Sequence, residues 1–225
     1  MQSFFKKIYI LVWKDFLIDI RRKDNILSML LFLIVNFLII KFSIGEDIKN
    51  FKHTLPGIIW VVFLFAGALG LEKSFLQERE SGCIDGLLSA PVGRGVLFLG
   101  KMLGNTLFLM ITQIIFVTSV IIVFSIEIKN WFELFIVLLL GTIGFSSLGT
   151  LLTALTATVK GRGMLLPVLI FPLMLPGLLC VVKITDFLFF GTFPNEVWSW
   201  WKLLISFDLI LLTISILGFE IVLEE

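Results

Sequence analysis

The residues best suited to chemistry outside a lipid phase form one short run, Gln77-Glu78-Arg79-Glu80-Ser81-Gly82-Cys83-Ile84-Asp85-Gly86-Leu87-Leu88-Ser89-Ala90-Pro91. Charged residues lead up to Gly82, a short helix is expected to follow, and Pro91 helps end it. Ile84, Leu87 and Leu88 would then present a small apolar face bordered by charge, the composition of a docking surface. On physical grounds alone, a loop folded back against its own bundle is an equal alternative. No constellation supports catalysis. The sequence offers no Ser-His-Asp set, no Cys/His metal spacing, no paired carboxylates at one depth, and no Gly-x-x-x-x-Gly-Lys-Ser/Thr phosphate loop. The chain is therefore expected not to be an enzyme and not to hydrolyse ATP by that loop.

The elements that must position this run are apolar. Of 225 residues, 58% are hydrophobic and 16% charged, and the mean hydropathy is +1.07. A soluble domain runs at about 45–50% apolar and about 25% charged, so this chain cannot wet its own surface and its solvent must be largely lipid. That excludes a soluble enzyme, a nucleic-acid binder and a secreted disulfide scaffold. The two cysteines, Cys83 and Cys180, are expected near opposite faces and unpaired. Residues 1–23 mix Lys6, Lys7, Lys14, Asp15, Asp19, Arg21, Arg22 and Lys23 with apolar residues, which is not the pattern of a signal peptide.

A helix crosses the hydrocarbon with about 20 apolar residues. Six stretches qualify: 26–44, 55–71, 102–126, 132–159, 164–182 and 203–223. Asn36 and Lys41 fall in the first, where Lys41 can snorkel to the headgroups. The fourth carries Gly141, Thr142, Gly144, Gly149, Thr150, Thr153 and Thr156, small residues that permit close helix approach and place it inside the bundle. One side collects Lys6, Lys7, Lys14, Arg21, Arg22, Lys23, Lys73, Arg79, Arg94, Lys101, Lys160 and Arg162. The other collects Lys41, Lys49, Lys52, Lys129, Lys183 and Lys202. Twelve against six of the 18 cationic residues makes both termini cytoplasmic. Residues 1–24 read as an amphipathic helix in the membrane plane, with Phe5, Ile8, Tyr9, Val12, Phe16 and Ile20 on one face and Lys7, Lys14, Asp15 and Arg22 largely elsewhere; a plain cytoplasmic extension of the first span is the alternative. Residues 25–225 form the membrane domain, with a cytoplasmic loop at 72–101.

The order of blocks resembles a known family. Glu-Arg-Glu-x-Gly followed by Leu-Leu-x-x-Pro is similar to the coupling helix by which permeases of the ABC-2 class contact their ATPase. Pro56-Gly57-Ile58-Ile59-Trp60 opens the second span, and Lys101 opens the third. Leu138-Leu139-Leu140-Gly141-Thr142, with Ser147, Gly149, Ala154 and Leu155, fills the fourth. Gly161-Arg162-Gly163-Met164-Leu165-Leu166 leads into Pro172-Leu173 and Pro176. Together, over residues 56–176, they resemble the haem exporter protein B (CcmB) family, permease subunits of the cytochrome c maturation system. The resemblance implies an all-α integral membrane protein of the bacterial cytoplasmic (inner) membrane. It has six transmembrane helices, an N-terminal interfacial helix and a cytoplasmic coupling helix between spans two and three. It implies a coupling surface of Glu78, Arg79, Glu80, Gly82, Ile84, Asp85, Leu87, Leu88 and Pro91. Implied partners are an ATP-binding subunit (CcmA-like), a haem-handling membrane subunit (CcmC-like), a haem chaperone (CcmE-like), a second copy of the chain and membrane lipid, with no nucleic acid. No cofactor is expected in the chain itself: ATP belongs to the partner, and haem is a candidate substrate. Ser81 between the acids and glycine, and Met110-Ile111-Thr112 where a proline is expected, depart from the pattern.

Against this background other residues are weighed singly. His53, the only histidine, stands in the first external loop, where a haem iron could use an axial ligand and where a solvated histidine is commoner. Trp198, Trp200 and Trp201 precede the last span; with Lys202 after them and no second histidine, an interfacial aromatic belt explains them. Glu220 falls near the headgroups. Asp208, deeper in the same span, is the candidate buried partner of another helix. Gly161 and Gly163 around Arg162 suggest a tight cytoplasmic turn. Two other readings stand beside the first: an ABC-2-type permease for another cargo, such as lipid-linked glycan or a drug, and a membrane enzyme or ion-coupled transporter. The last would want several membrane-depth ionisable groups facing one cavity, and Asp208 is the one that qualifies.

Overall fold

The computed structural model describes residues 2–21, 23–44, 53–80, 93–156, 165–191 and 197–222. Among these the regular structure is helical, in seven elements: α1 (Gln2–Arg21), α2 (Lys23–Ile44), α3 (Leu55–Glu80), α4 (Arg94–Val123), α5 (Trp131–Thr156), α6 (Leu165–Phe190) and α7 (Val197–Val222). In a lipid solvent each N–H and C=O must find a partner inside its own segment, which a helix achieves and an open strand does not. Five helices, α3 to α7, are long and apolar enough to cross a membrane, and α2 has a shorter apolar run, Leu27–Ser43. The chain is a multi-pass membrane protein. Neighbours run in alternate directions. Lys73 near the end of α3 donates to Ser28 near the start of α2 at 2.6 Å, and His53 just before α3 meets Asp186 near the end of α6 at 2.9 Å. Both ends of the 81–92 segment therefore emerge at one end of the bundle, and His53 lies at the other.

α5 is the hub, packing against α3, α4, α6 and α7. It earns that place by lacking bulk where neighbours need room. A Cβ on Gly141 would lie 2.5 Å from the Trp60 ring of α3. Gly149 leaves space for Leu71, and Gly144 for Asp208 of α7. The reciprocal notch is Gly67 of α3, which receives Phe145 of α5; its Cβ would meet that ring at 2.6 Å. Trp60, Phe63, Phe98 and Phe145 are fully buried, and Phe63 links Trp60 and Phe145 at centroid distances of 5.9 and 5.8 Å. Polar pairs tie the same helices together. Trp60 Nε1 donates to Thr185 Oγ1 at 3.0 Å, Ser146 Oγ to the Met102 carbonyl at 2.8 Å and Asn105 Nδ2 to Thr150 Oγ1 at 3.0 Å. Thr142 Oγ1 sits between the Leu138 carbonyl oxygen and Gln113 Oε1. The outer surface is apolar instead: Phe42, Ile122, Val168, Leu209 and Ile221 are all exposed. Hydrophobicity outside and hydroxyls inside is the arrangement that lipid favours.

The elements overrun the apolar runs. α3 continues beyond residue 71 through the charged stretch to Glu80, α4 starts at Arg94 rather than 102, α6 continues past 182 to Phe190, and α7 starts at Val197 rather than 203. Hydropathy marks where lipid stops, whereas a helix continues as long as its hydrogen bonds do. At about 1.5 Å per residue, the 30 residues of α4 span about 45 Å, well beyond a hydrocarbon layer of about 30 Å. α6 retains Pro172 and Pro176 within it and ends in an αL cap, with Gly191 at φ 71° donating its N–H to the Phe187 carbonyl at 2.8 Å; a residue with a Cβ is strained there.

If the Trp60 notch holds this bundle in register, Gly141→Val destabilises it by about 1–3 kcal/mol, the usual cost of overpacking. Unfolding in mixed micelles measures this, with lipid-facing Val168→Leu as the neutral control. Equal stability of the two variants would mean that the ring is not seated on Gly141.

Candidate functional site

The run singled out from the sequence is only flanked by the described structure. Glu78, Arg79 and Glu80 are in the last turn of α3. Gly82, Ile84, Asp85, Leu87, Leu88 and Pro91 lie outside the described residues, as do Cys83, Gly161, Arg162 and Gly163.

What leads out of the run is anchored separately from the rest. Gly93 caps the start of α4, its carbonyl accepting from Val96 at 2.9 Å. Its first turns supply Leu97, Phe98 and Met102 to an apolar cluster of their own, completed by Leu151 and Ala154 of α5 and Phe219 of α7. Phe98 and Phe219 lie 5.2 Å apart, centre to centre. Glu220, exposed on α7, has its carboxylate beside Gly95. This second cluster sits at the 81–92 end, distinct from the main core around Trp60 and Phe145.

The same turns of α4 carry α1. Gly100 and Gly104 stand one turn apart on α4, and a Cβ on them would lie 2.8 Å from Leu11 and 3.2 Å from Asp15. Asp15 is buried with an ion pair to Lys14 at 3.0 Å, although its type suggests a polar face. The amphipathic pattern thus describes α1 only in part. Leu11 and Asp15 meet α4, while Tyr9 and Trp13, stacked with centroids 6.4 Å apart, face outward. The Gly-x-x-x-Gly spacing at 100–104 is a readable signal for this contact; nothing in the sequence of α1 marks Asp15 as the buried residue.

At the opposite end, His53 Nδ1 lies 2.9 Å from Asp186 Oδ1, and its ring meets Phe190 edge-on at 5.5 Å. Asp186 escaped notice because the apolar run stops before it. Beside this pair a cleft of about 500 Å³ opens, lined by Glu127, Lys129, Glu133, Phe187 and Phe190 among others. Among the described residues no three His, Cys, Asp or Glu side chains are grouped to hold a metal. Trp198 is exposed, and Trp200 and Trp201 pack partly on the main core. Cys180 is a buried free thiol. Asp208 does meet another helix: its carboxyl lies against α5 at Gly144.

The family model described as "CcmB protein" matches residues 6–224. The chain belongs to the CcmB family. Curated relatives agree along most of its length. It is 28% identical to Heme exporter protein B of Haemophilus influenzae over 176 residues, 78% of this chain and 80% of the relative. Against the Pseudomonas aeruginosa protein of the same name it is 29% identical over 159 residues, 71% of each. Against that of Bradyrhizobium diazoefficiens it is 24% identical over 205 residues, 91% of each. The CcmB match begins in α1, so the helix seated on Gly100 and Gly104 belongs to the family domain and is no separate appendage.

His53 is about half exposed in its contact with Asp186, and exposed polar pairs of this kind contribute about 0–1 kcal/mol. His53→Ala is accordingly expected to change unfolding in mixed micelles by no more than that. A loss several times larger would assign the pair a structural role that its exposure does not support.

Proposed function

We propose that this chain is the permease subunit of an ATP-driven haem-export complex serving cytochrome c biogenesis, moved by a separate ATP-binding subunit docked on residues 78–91. The observation that carries this reading is the CcmB match from residue 6 to residue 224, joined by relatives named Heme exporter protein B. The chain itself is read as non-catalytic, and its helices as six spans, with α2 as the short first one. Both termini and the 72–101 loop are assigned to the cytoplasm of a bacterial inner membrane, on the charge asymmetry. A haem-handling membrane subunit, a haem chaperone and a second copy of the chain complete the proposed complex.

The mechanical part follows from the anchoring of α4. A partner that pulls on Leu87 and its neighbours moves the start of α4, and the Phe98 cluster makes α1, α5 and α7 move with it. Packed interfaces shift between discrete arrangements more readily than they stretch, so displacement at the loop becomes displacement of helices. In this reading α1 shares the load through Gly100 and Gly104.

Leu87→Asp would put a charge into the partner's groove, and a buried unpaired charge is strongly disfavoured. The variant is expected to lose the ATP-binding subunit on co-purification and to fail in holocytochrome formation while still inserting in the membrane. Full stoichiometry with normal holocytochrome would remove residues 78–91 from the docking surface. Gly86→Cys labelled only from the periplasmic side would overturn the orientation.

A further inference from the structure

We propose that Asp208 is a proton-binding site at membrane depth, and that the proton it holds keeps α7 seated on α5. The side chain is 6% exposed, and its Oδ2 is buried with no hydrogen-bond partner. The carboxyl rests on the α5 backbone where Gly144 has no side chain, and any Cβ at that position would overlap its Oδ1. What surrounds it explains the choice of ligand. No Lys, Arg or His is paired with it among the described residues; the titratable group facing it is the Cys180 thiol of α6, and α3 contributes Trp60 to the small cavity that Asp208 also lines. The N–H groups of α5 are spent within their own helix, and what the carboxyl meets there is the bare Cα of Gly144, which brings no amide donor. An ionised carboxylate needs donors to offset its charge, whereas a carboxylic acid is neutral. The form that fits this seat on α5 is therefore the protonated one. A bare carboxylate in the same place would be an uncompensated charge in hydrocarbon.

The same seam carries two further unsatisfied oxygens. Ser147, three residues beyond Gly144, and Ser215, seven beyond Asp208, are both fully buried, and neither Oγ has a partner. Gly218 of α7 meets Leu151 of α5 on the same faces. The hydroxyls thus lie between the carboxyl and the 81–92 end, a polar line along which a proton can be exchanged when the helices part. A proton on Asp208 favours the closed α5–α7 contact, and its loss favours separation, so the two arrangements differ in proton occupancy.

The test uses the full chain in lipid nanodiscs with aspartate labelled in its side-chain carboxyl carbon. At neutral pH the infrared spectrum is expected to show a carboxylic-acid carbonyl stretch that shifts with the label and is lost in Asp208→Asn. Should that variant not fold, Asp208→Glu serves instead: it keeps a carboxylic-acid band but removes its sensitivity to the aspartate label. A second measurement is mixed-micelle unfolding against pH. The folded chain keeps a proton that the unfolded chain has released, so stability falls as pH rises. Relative to Asp208→Asn, the wild-type equilibrium moves towards unfolding by about tenfold per pH unit across that window. A labelled wild-type spectrum at neutral pH with no carboxylic-acid band from Asp208, or equal pH slopes for wild type and Asp208→Asn, would overturn the proposal.

Discussion

Hydrocarbon offers no hydrogen bonds, and the rest of this structure depends on that fact. Each backbone must be satisfied within its own helix, so helices cannot be joined by backbone pairing, and apolar surface alone gives little preference among partners when the solvent is equally apolar. Shape must then supply specificity. Here it does so through glycine notches, each filled by one large or polar group of a neighbour: Gly141 by Trp60, Gly67 by Phe145, Gly177 by Phe207, Gly144 by Asp208. Every notch has a fixed occupant, so sliding a helix by one residue would drive several side chains into backbone at once. Such a bundle has few allowed arrangements.

Interior polarity acts in the same sense. Thr106, Thr153 and Thr185 return their hydroxyls to carbonyls of their own helix at 2.7, 2.9 and 2.7 Å, and these bonds do not depend on which neighbour is present. Asn105, Ser146 and Trp60 reach across to other helices instead. The first kind makes a hydroxyl tolerable in lipid; the second kind selects a register. Both occur on the α4–α5 side, which is therefore the more firmly specified half. α7 is attached with less of its surface covered: 28% of its most apolar window is buried, against 72% for α5.

Much of the architecture was legible in the sequence because lipid imposes length and composition rules that few soluble folds obey. Five of the six predicted runs lie within helices as far as the described residues extend, the run 102–126 outlasts α4 by three residues, and the small residues of 132–159 do place that helix at the centre. The errors share one cause. Apolar runs report contact with lipid, and the helices continue beyond it, which is why Asp186, four residues past the fifth run, was not seen as the partner of His53. The pattern of α1 separated Asp15 from the apolar face but carried no sign of what it meets. Asp15 instead turns inward to a glycine, where a short side chain fits and a long one does not. The candidate docking residues were legible only as a pattern of charge, glycine and leucine, since their recognition depends on a second molecule whose shape this sequence does not encode.

The dimensions of the interior follow from the same notches. The cavity lined by Trp60, Gly141, Gly177 and Asp208 measures about 10 Å³, room for about one water molecule, whereas the cleft beside Phe187 and Phe190 is some fifty times larger. Nothing larger than a water molecule passes between α3, α5, α6 and α7 unless the Trp60 and Phe207 notches are vacated together, and opening them would strip Thr142, Ser147 and Asp208 of the packing that buries them. The glycine notches that fix the register of these helices are thus also what closes this part of the interior.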